Sequence, residues 1–244
     1  MKIDKNKCIK FLRIIRVVVI LYLIVLLGYS FFANTNTNVP TPTEPVVVNT
    51  PTVVPSSAPT NLINGFTDIQ KHWSKDYFSL MLENRVVSGY PDNTLRPEIG
   101  ISRAEAAVMV VKAADIRLSY SQLLDMEDDE LVQEWAKKFI ITAVNNDVIK
   151  GYSDKTFRPG NKITRCEMIV MVLKAFGIGP SEDKTLTFAD GDTIPEWSRG
   201  FVKKAVDLGI VKGYEKDNTF RPNKEIIRAE AVTIIAKCMD KKNQ

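Results

Sequence analysis

Residues 86–105 read VVSGYPDNTLRPEIGISRAE, and the chain states this phrase three times. It returns as VIKGYSDKTFRPGNKITRCE at 148–167 and as IVKGYEKDNTFRPNKEIIRAE at 210–230. Working outward, Trp73, Trp135 and Trp197 are the three tryptophans of the chain and stand 62 residues apart. Gly89-Tyr90, Gly151-Tyr152 and Gly213-Tyr214 keep that period. Arg96-Pro97, Arg158-Pro159 and Arg221-Pro222 follow, as do the Arg-x-Glu segments starting at Arg103, Arg165 and Arg228. A fixed period of this length is the signature of a repeat architecture.

Each repeat is predicted to be helix, loop, helix. Trp73, Tyr77, Leu80 and Met81 share one helical face, as do Trp197, Phe201 and Ala205. The first helix is expected to stop at Gly89, Gly151 or Gly213 through a left-handed glycine. A loop rich in Asp, Asn and Pro follows. Ser102 with Glu105, and Thr164 with Glu167, form capping boxes for the second helix, whereas repeat three has Ile227 at that position. The second helices are apolar and Ala-rich. One such pair cannot bury its apolar faces alone, but three together can. The fold class is therefore all-α, with repeats at 62–120, 121–182 and 183–244.

The rest of the chain is segmented by composition. Residues 1–16 hold six basic residues, and residues 17–33 carry no charge. This predicts a cytoplasmic basic stub and an apolar membrane segment, with everything after it exported. Bulky Phe31 at −3 from Ala33 favours an uncleaved anchor over a cleaved signal peptide. Residues 34–61 contain six prolines among Thr, Val and Ser and read as an extended linker. At ~3.1 Å per residue it could reach on the order of 80–90 Å. From residue 62 onward there are 27 basic and 27 acidic residues, so the net charge of +4 belongs to the N-terminus. No basic face is available to invite nucleic acid.

Catalytic patterns are absent. The one histidine, His72, is expected to be an exposed helix-start residue. The acidic run Asp125–Glu130 lacks the spacing of a calcium loop and reads as a solvated connector. Cys166 and Cys238 occupy positions where other repeats have Ala and are expected to be small buried residues. No phosphate loop or nucleophile elbow appears, and no cofactor or metal is called for.

The combination of Phe66-Thr67-Asp68-Ile69, Trp73, Val-Val-Ser-Gly-Tyr, Asn-Thr-Leu-Arg-Pro and Ile-Ser-Arg-Ala-Glu resembles the S-layer homology domain, over about residues 64–240. The resemblance implies a bundle of three helical repeats with pseudo-threefold symmetry. It implies binding of secondary cell-wall polysaccharide, often through a pyruvylated sugar. The binding arginine of the family maps onto Arg103, Arg165 and Arg228, and its glycine onto Gly89, Gly151 and Gly213. Its lysine maps onto Lys150 and Lys212, with Ser88 in repeat one, and its aromatic onto Trp73, Trp135 and Trp197.

The chemistry fits such a ligand. A pyruvate ketal presents a carboxylate, which Arg grips through parallel hydrogen bonds. An Arg in the first helical turn is expected to stand beside free backbone N–H donors. Two readings of the tryptophans stay open, core packing or a platform for a sugar ring. The Arg-Pro arginines are expected to bond loop carbonyls, and Glu105, Glu167 and Glu230 to act as caps. The second repeat carries the best-preserved set of motifs, so losing Arg165 should weaken wall binding more than losing Arg228. The function expected is non-enzymatic anchoring to the cell wall. The alternative is an envelope adaptor that engages other surface-layer proteins, or a membrane-to-wall tether without glycan recognition.

Overall fold

The computed structural model of the 244-residue chain describes residues 62–119 and 126–242. The proposed membrane segment at 17–33 and the linker at 34–61 lie outside the described residues. Among the described residues, no helix is long and apolar enough to cross a membrane.

Among the described residues there are six α-helices: α1 (Lys75–Glu83), α2 (Arg103–Ala113), α3 (Glu134–Asn145), α4 (Arg165–Ala175), α5 (Glu196–Asp207) and α6 (Arg228–Lys242). Two chemically distinct classes alternate. In α2, α4 and α6 the apolar residues go nearly all round, and a helix of that kind must be buried. Nine of the eleven residues of α2 are buried. The odd-numbered helices are amphipathic, and α1 buries only Phe78, Met81 and Leu82.

The packing partners are not the two helices of one repeat. The second helices α2, α4 and α6 contact one another at the centre. Each first helix packs on the second helix of the preceding repeat: α3 on α2, and α5 on α4. The ring closes when α1 packs on α6. The axis of this ring is marked by three backbone hydrogen bonds between buried isoleucines. Ile163 donates to Ile101 (3.1 Å), Ile226 to Ile163 (3.0 Å) and Ile101 to Ile226 (3.3 Å).

The expected capping boxes form at Ser102 with Glu105 and at Thr164 with Glu167. At α6 the Ile227 side chain offers no acceptor, and its N–H reaches Glu230 at 3.4 Å. The expectation of a left-handed stop at Gly89, Gly151 and Gly213 is overturned. The left-handed residues are Arg85 (φ 57°), Asp147 (φ 56°) and Gly209 (φ 68°), four positions earlier. The next residue then donates back to the helix, as in Val86 to the Met81 carbonyl at 2.9 Å. Glycine is needed at Gly89 and Gly213 for space. A Cβ there would come 1.9 Å from the Phe66 ring and 2.6 Å from the Phe188 ring.

Each loop is held by one carboxylate. Asp128 accepts the N–H groups of Phe157 and Arg158, both at 2.7 Å. Asp68 does the same for Leu95 and Arg96 (2.9 and 2.8 Å), and Asp190 for Phe220 and Arg221 (both 2.7 Å). The run from Asp125 to Glu130 is thus not merely a solvated connector, since it supplies this clamp and an ion pair of Asp129 with Lys137 at 3.6 Å.

Asp128→Ala leaves two backbone donors without acceptors and is expected to cost about 3 kcal/mol. A thermal melt should then show a midpoint lowered by roughly 10 °C. An unchanged midpoint would exclude the clamp.

Candidate functional site

The arginine of each Arg-x-Glu segment is buried and points into the next repeat. Arg103 is 3% exposed. Its Nε donates to the Phe157 carbonyl (3.0 Å), Nη2 to the Lys150 carbonyl (3.0 Å) and Nη1 to Glu167 (3.1 Å). Arg165 repeats the pattern against repeat three, with Nη2 on the Lys212 carbonyl at 2.8 Å and Nη1 3.9 Å from Glu230. Arg228 closes the ring onto repeat one, with the Ser88 carbonyl at 3.3 Å and Glu105 at 3.9 Å. Only Arg103 uses its Nε; those of Arg165 and Arg228 are buried without a partner. The three arginines are chemically alike but progressively less tightly held.

A tyrosine lies between two guanidinium groups in each repeat. Tyr152 has Arg158 of its own loop at 4.1 Å and Arg103 of the preceding repeat at 4.6 Å from the ring centre. Tyr214 and Tyr90 repeat this with Arg221 and Arg165, and with Arg96 and Arg228. Each tyrosine hydroxyl donates to the capping glutamate, as Tyr214 does to Glu230 at 2.7 Å. The glutamates therefore cap a helix and also tie the tyrosine to the incoming arginine. Burial acts to raise the Glu105 carboxyl, but the Ser102 bonds, Arg228 and Tyr90 together hold it below the usual range.

Three expectations need correction here. The backbone donors at the second-helix starts are not free. Arg103 and Ala104 donate to the carbonyls of Asn161 and Pro159 in the next loop, at 2.9 and 3.1 Å. Arg165 with Cys166, and Arg228 with Ala229, are committed in the same way. The Arg-Pro arginines bond side chains and not loop carbonyls: Arg158 reaches Thr156 (3.0 Å) and Asp154 (2.6 Å). They take left-handed backbone, with φ between 52° and 59°, and these bonds offset the cost of roughly 1–2 kcal/mol. His72 is only partly exposed and bonds Ser74 (2.7 Å) and Glu98 (2.6 Å).

The tryptophans are not core residues. Trp73, Trp135 and Trp197 are 58%, 49% and 57% exposed. They leave the apolar face predicted for them because the buried face is turned by one residue: Ser74, Ala136 and Ser198, each directly after its tryptophan, are fully buried. Two stand at the edges of grooves. One groove, of about 310 Å³, is lined by Arg103, Lys150, Gly151, Tyr152, Lys174 and Trp197, among others. The second, of about 290 Å³, is lined by Ser88, Gly89, Tyr90, Lys112, Trp135 and Arg228, with Glu105. Each groove combines the arginine of one repeat, the Gly-Tyr segment of the next and the tryptophan of the one after. The Lys212 carbonyl and the Tyr214 ring likewise meet Arg165 from the preceding repeat.

Lys112 and Lys174 went unread in the sequence, although both follow a Val-Val or Val-Leu pair near the end of a second helix, 62 residues apart. Burial, with Lys138 nearby, pushes the Lys112 ammonium down. Cys166 and Cys238 are buried and unpaired. Burial pushes the Cys238 thiol up to about 12.

The S-layer homology domain family matches residues 65–107, 128–169 and 187–232. The chain belongs to that family. It is 33% identical over 162 residues, 63% of its length, to Cell surface glycoprotein 1 of Acetivibrio thermocellus, and these cover 7% of that protein. It is 33% identical to the Cellulosome-anchoring protein of the same organism over 55% of this chain and 31% of that one. It is 31% identical to an Amylopullulanase of Thermoanaerobacterium thermosulfurigenes, over 72% of this chain and 10% of the relative. The matched region is thus a minor part of each.

Two outcomes follow. Arg103→Ala removes a buried ion pair and leaves two carbonyls unpaired, so stability should fall by on the order of 3 kcal/mol in a denaturant titration. Wild-type stability would sink the ring-tie role. Depressed carboxylates stabilise above their unfolded pKa of about 4 and lose that contribution as pH falls through the folded value. With Glu105 lowered and Asp154 and Asp217 at about 2, unfolding monitored against pH should show stability declining from about pH 4 towards pH 2. Flat stability across that window would contradict it.

Proposed function

We propose that the chain anchors non-covalently to the bacterial cell wall by binding secondary cell-wall polysaccharide in the grooves between its repeats. The ligand class is an acidic glycan, a sugar bearing a pyruvate ketal. The reading places the chain at the cell surface, as a binding protein and not a catalyst. The observation that carries it is the lining of the Arg103 groove: an exposed tryptophan faces a glycine, two lysines and a buried arginine. An indole offers an apolar surface to the C–H face of a sugar, and ammonium groups suit a carboxylate. The names of relatives, among them a cellulosome-anchoring protein and a cell surface glycoprotein, support the same reading.

The grooves differ in charge. The Arg103 groove has Lys150 and Lys174, whereas the Arg228 groove has Ser88 in place of the first lysine and retains Lys112. Lys150 and Lys174 both pair with Asp147, at 3.0 and 3.2 Å, so an anionic sugar gains most in the Arg103 groove by taking over these two ammonium groups from that carboxylate. The ranking of Arg165 above Arg228 is kept on new ground, because Arg165 meets Lys212 and Arg228 meets Ser88.

Sedimentation with native walls and with walls stripped of pyruvate tests the ligand class. Binding should be lost after stripping, and unchanged binding points to a protein partner or another glycan. Lys150→Ala and Trp197→Ala should each weaken binding to purified wall polymer by about tenfold, the scale of one charge-assisted contact. Ser88→Lys should strengthen it, and a Ser88→Lys variant no better than wild type would refute the charge argument.

A further inference from the structure

Trp135 stands between two cavities. One is the Arg228 groove, of about 290 Å³. The other, of about 280 Å³, is lined by Ser102, Glu105, Leu131, Gln133 and Gly160, with Trp135 again on its wall. Trp135 and Glu105 line both, so the two spaces adjoin across them.

The second cavity is chemically different from the first. No lysine or arginine lines it, and its one charged residue is the carboxylate Glu105. An anionic ligand is excluded from it on charge. Its polar groups besides Glu105 are the Ser102 hydroxyl, which also accepts the Glu105 N–H at 3.1 Å, and the Gln133 amide, whose oxygen accepts the Trp135 indole N–H. Its apolar surfaces are the indole and Leu131, which is 64% exposed. Hydroxyl and amide groups beside exposed apolar faces match a neutral sugar, which has a C–H face and a hydroxyl rim. Gly160 leaves the space open, since a Cβ there would meet nothing within 4 Å.

The local sequence explains the feature. Asp128 and Trp135 are seven residues apart, whereas Asp68 and Trp73 are five apart. The longer spacing accommodates the 3₁₀ turn Asp129–Leu131, which carries Leu131 beside the indole. Repeat three has the same spacing but places Thr193 at the corresponding turn position. Exposing a leucine there is unfavourable for an isolated chain and becomes useful when a ligand covers it.

We propose that this second cavity is a subsite for a neutral sugar linked to the acidic sugar in the Arg228 groove, so that one glycan chain crosses Trp135. The inference rests on the groove reading above. It makes the site around Trp135 hold two linked sugars and not a single one.

Fluorescence titration of the full chain carrying Trp73→Phe and Trp197→Phe tests it, because Trp135 is then the sole tryptophan. The probes are a pyruvylated monosaccharide and an oligosaccharide fragment of pyruvylated wall polysaccharide. The oligosaccharide should bind about tenfold more tightly. Gly160→Tyr should abolish that gain and leave monosaccharide binding unchanged. Leu131→Ser, at an exposed position, should remove part of the gain with no change in melting temperature. Equal affinity for the two probes, or a gain that survives Gly160→Tyr, overturns the subsite alone. Failure of both probes to bind overturns the groove reading, and the subsite with it.

Discussion

A buried guanidinium that leaves its own repeat is what the rest of the structure depends on. Arg103 is placed at the start of α2, yet its bonds are to Phe157, Lys150 and Glu167 of the following repeat. The same displacement recurs at Arg165 and Arg228, and the third instance returns to repeat one. A buried arginine without partners would cost several kcal/mol, so the neighbouring repeat must be present and in register. Helix packing obeys the same rule, since each first helix rests on the second helix of the preceding repeat. No repeat is complete by itself, and the three close into a ring.

The grooves are a by-product of that closure. Because the arginine reaches forward by one repeat and the tryptophan belongs to the one after, a groove draws on all three. The exposed indoles are the one element that packing does not consume. Their surroundings differ through Ser88, Lys150 and Lys212 on one side and Leu131 on the other. Equal scaffolding thus carries unequal sites. The grip on the arginine varies in parallel, since Arg103 satisfies its Nε while Arg165 and Arg228 leave theirs unpaired.

Much of this was legible in the sequence. The three-copy period, the alternation of amphipathic and wholly apolar helices, and the capping boxes at Ser102 and Thr164 follow from spacing and side-chain chemistry. The missing cap at Ile227 could be read in the same way. What could not be read is which repeat an element packs against, since periodicity is silent on partner choice. Spacing alone pairs Arg165 with the motifs of its own repeat, whereas in the structure it meets Lys212. The helix-start donors look free for the same reason, whereas Asn161 and Pro159 of the next loop supply their acceptors. The tryptophans mislead by one residue: their spacing from Tyr77 or Phe201 suits a helical face, but the face that is buried runs through Ser74, Ala136 and Ser198, one position on. The clamping aspartates Asp68, Asp128 and Asp190 left a trace in the sequence, an acid shortly before each tryptophan. Their role needed the loop geometry.

The central claim is that a ligand contacts three repeats at once within one groove. The most direct measurement is a nuclear magnetic resonance titration of the full chain with a pyruvylated saccharide, following the three indole N–H signals and the amides of residues 88–90, 150–152 and 212–214. The account predicts that the Trp197 indole and the Lys150–Tyr152 amides shift together along one binding curve, and that Trp135 follows with Ser88–Tyr90 at higher ligand concentration. Co-titration of Trp135 with Lys150–Tyr152, both from repeat two, would contradict it.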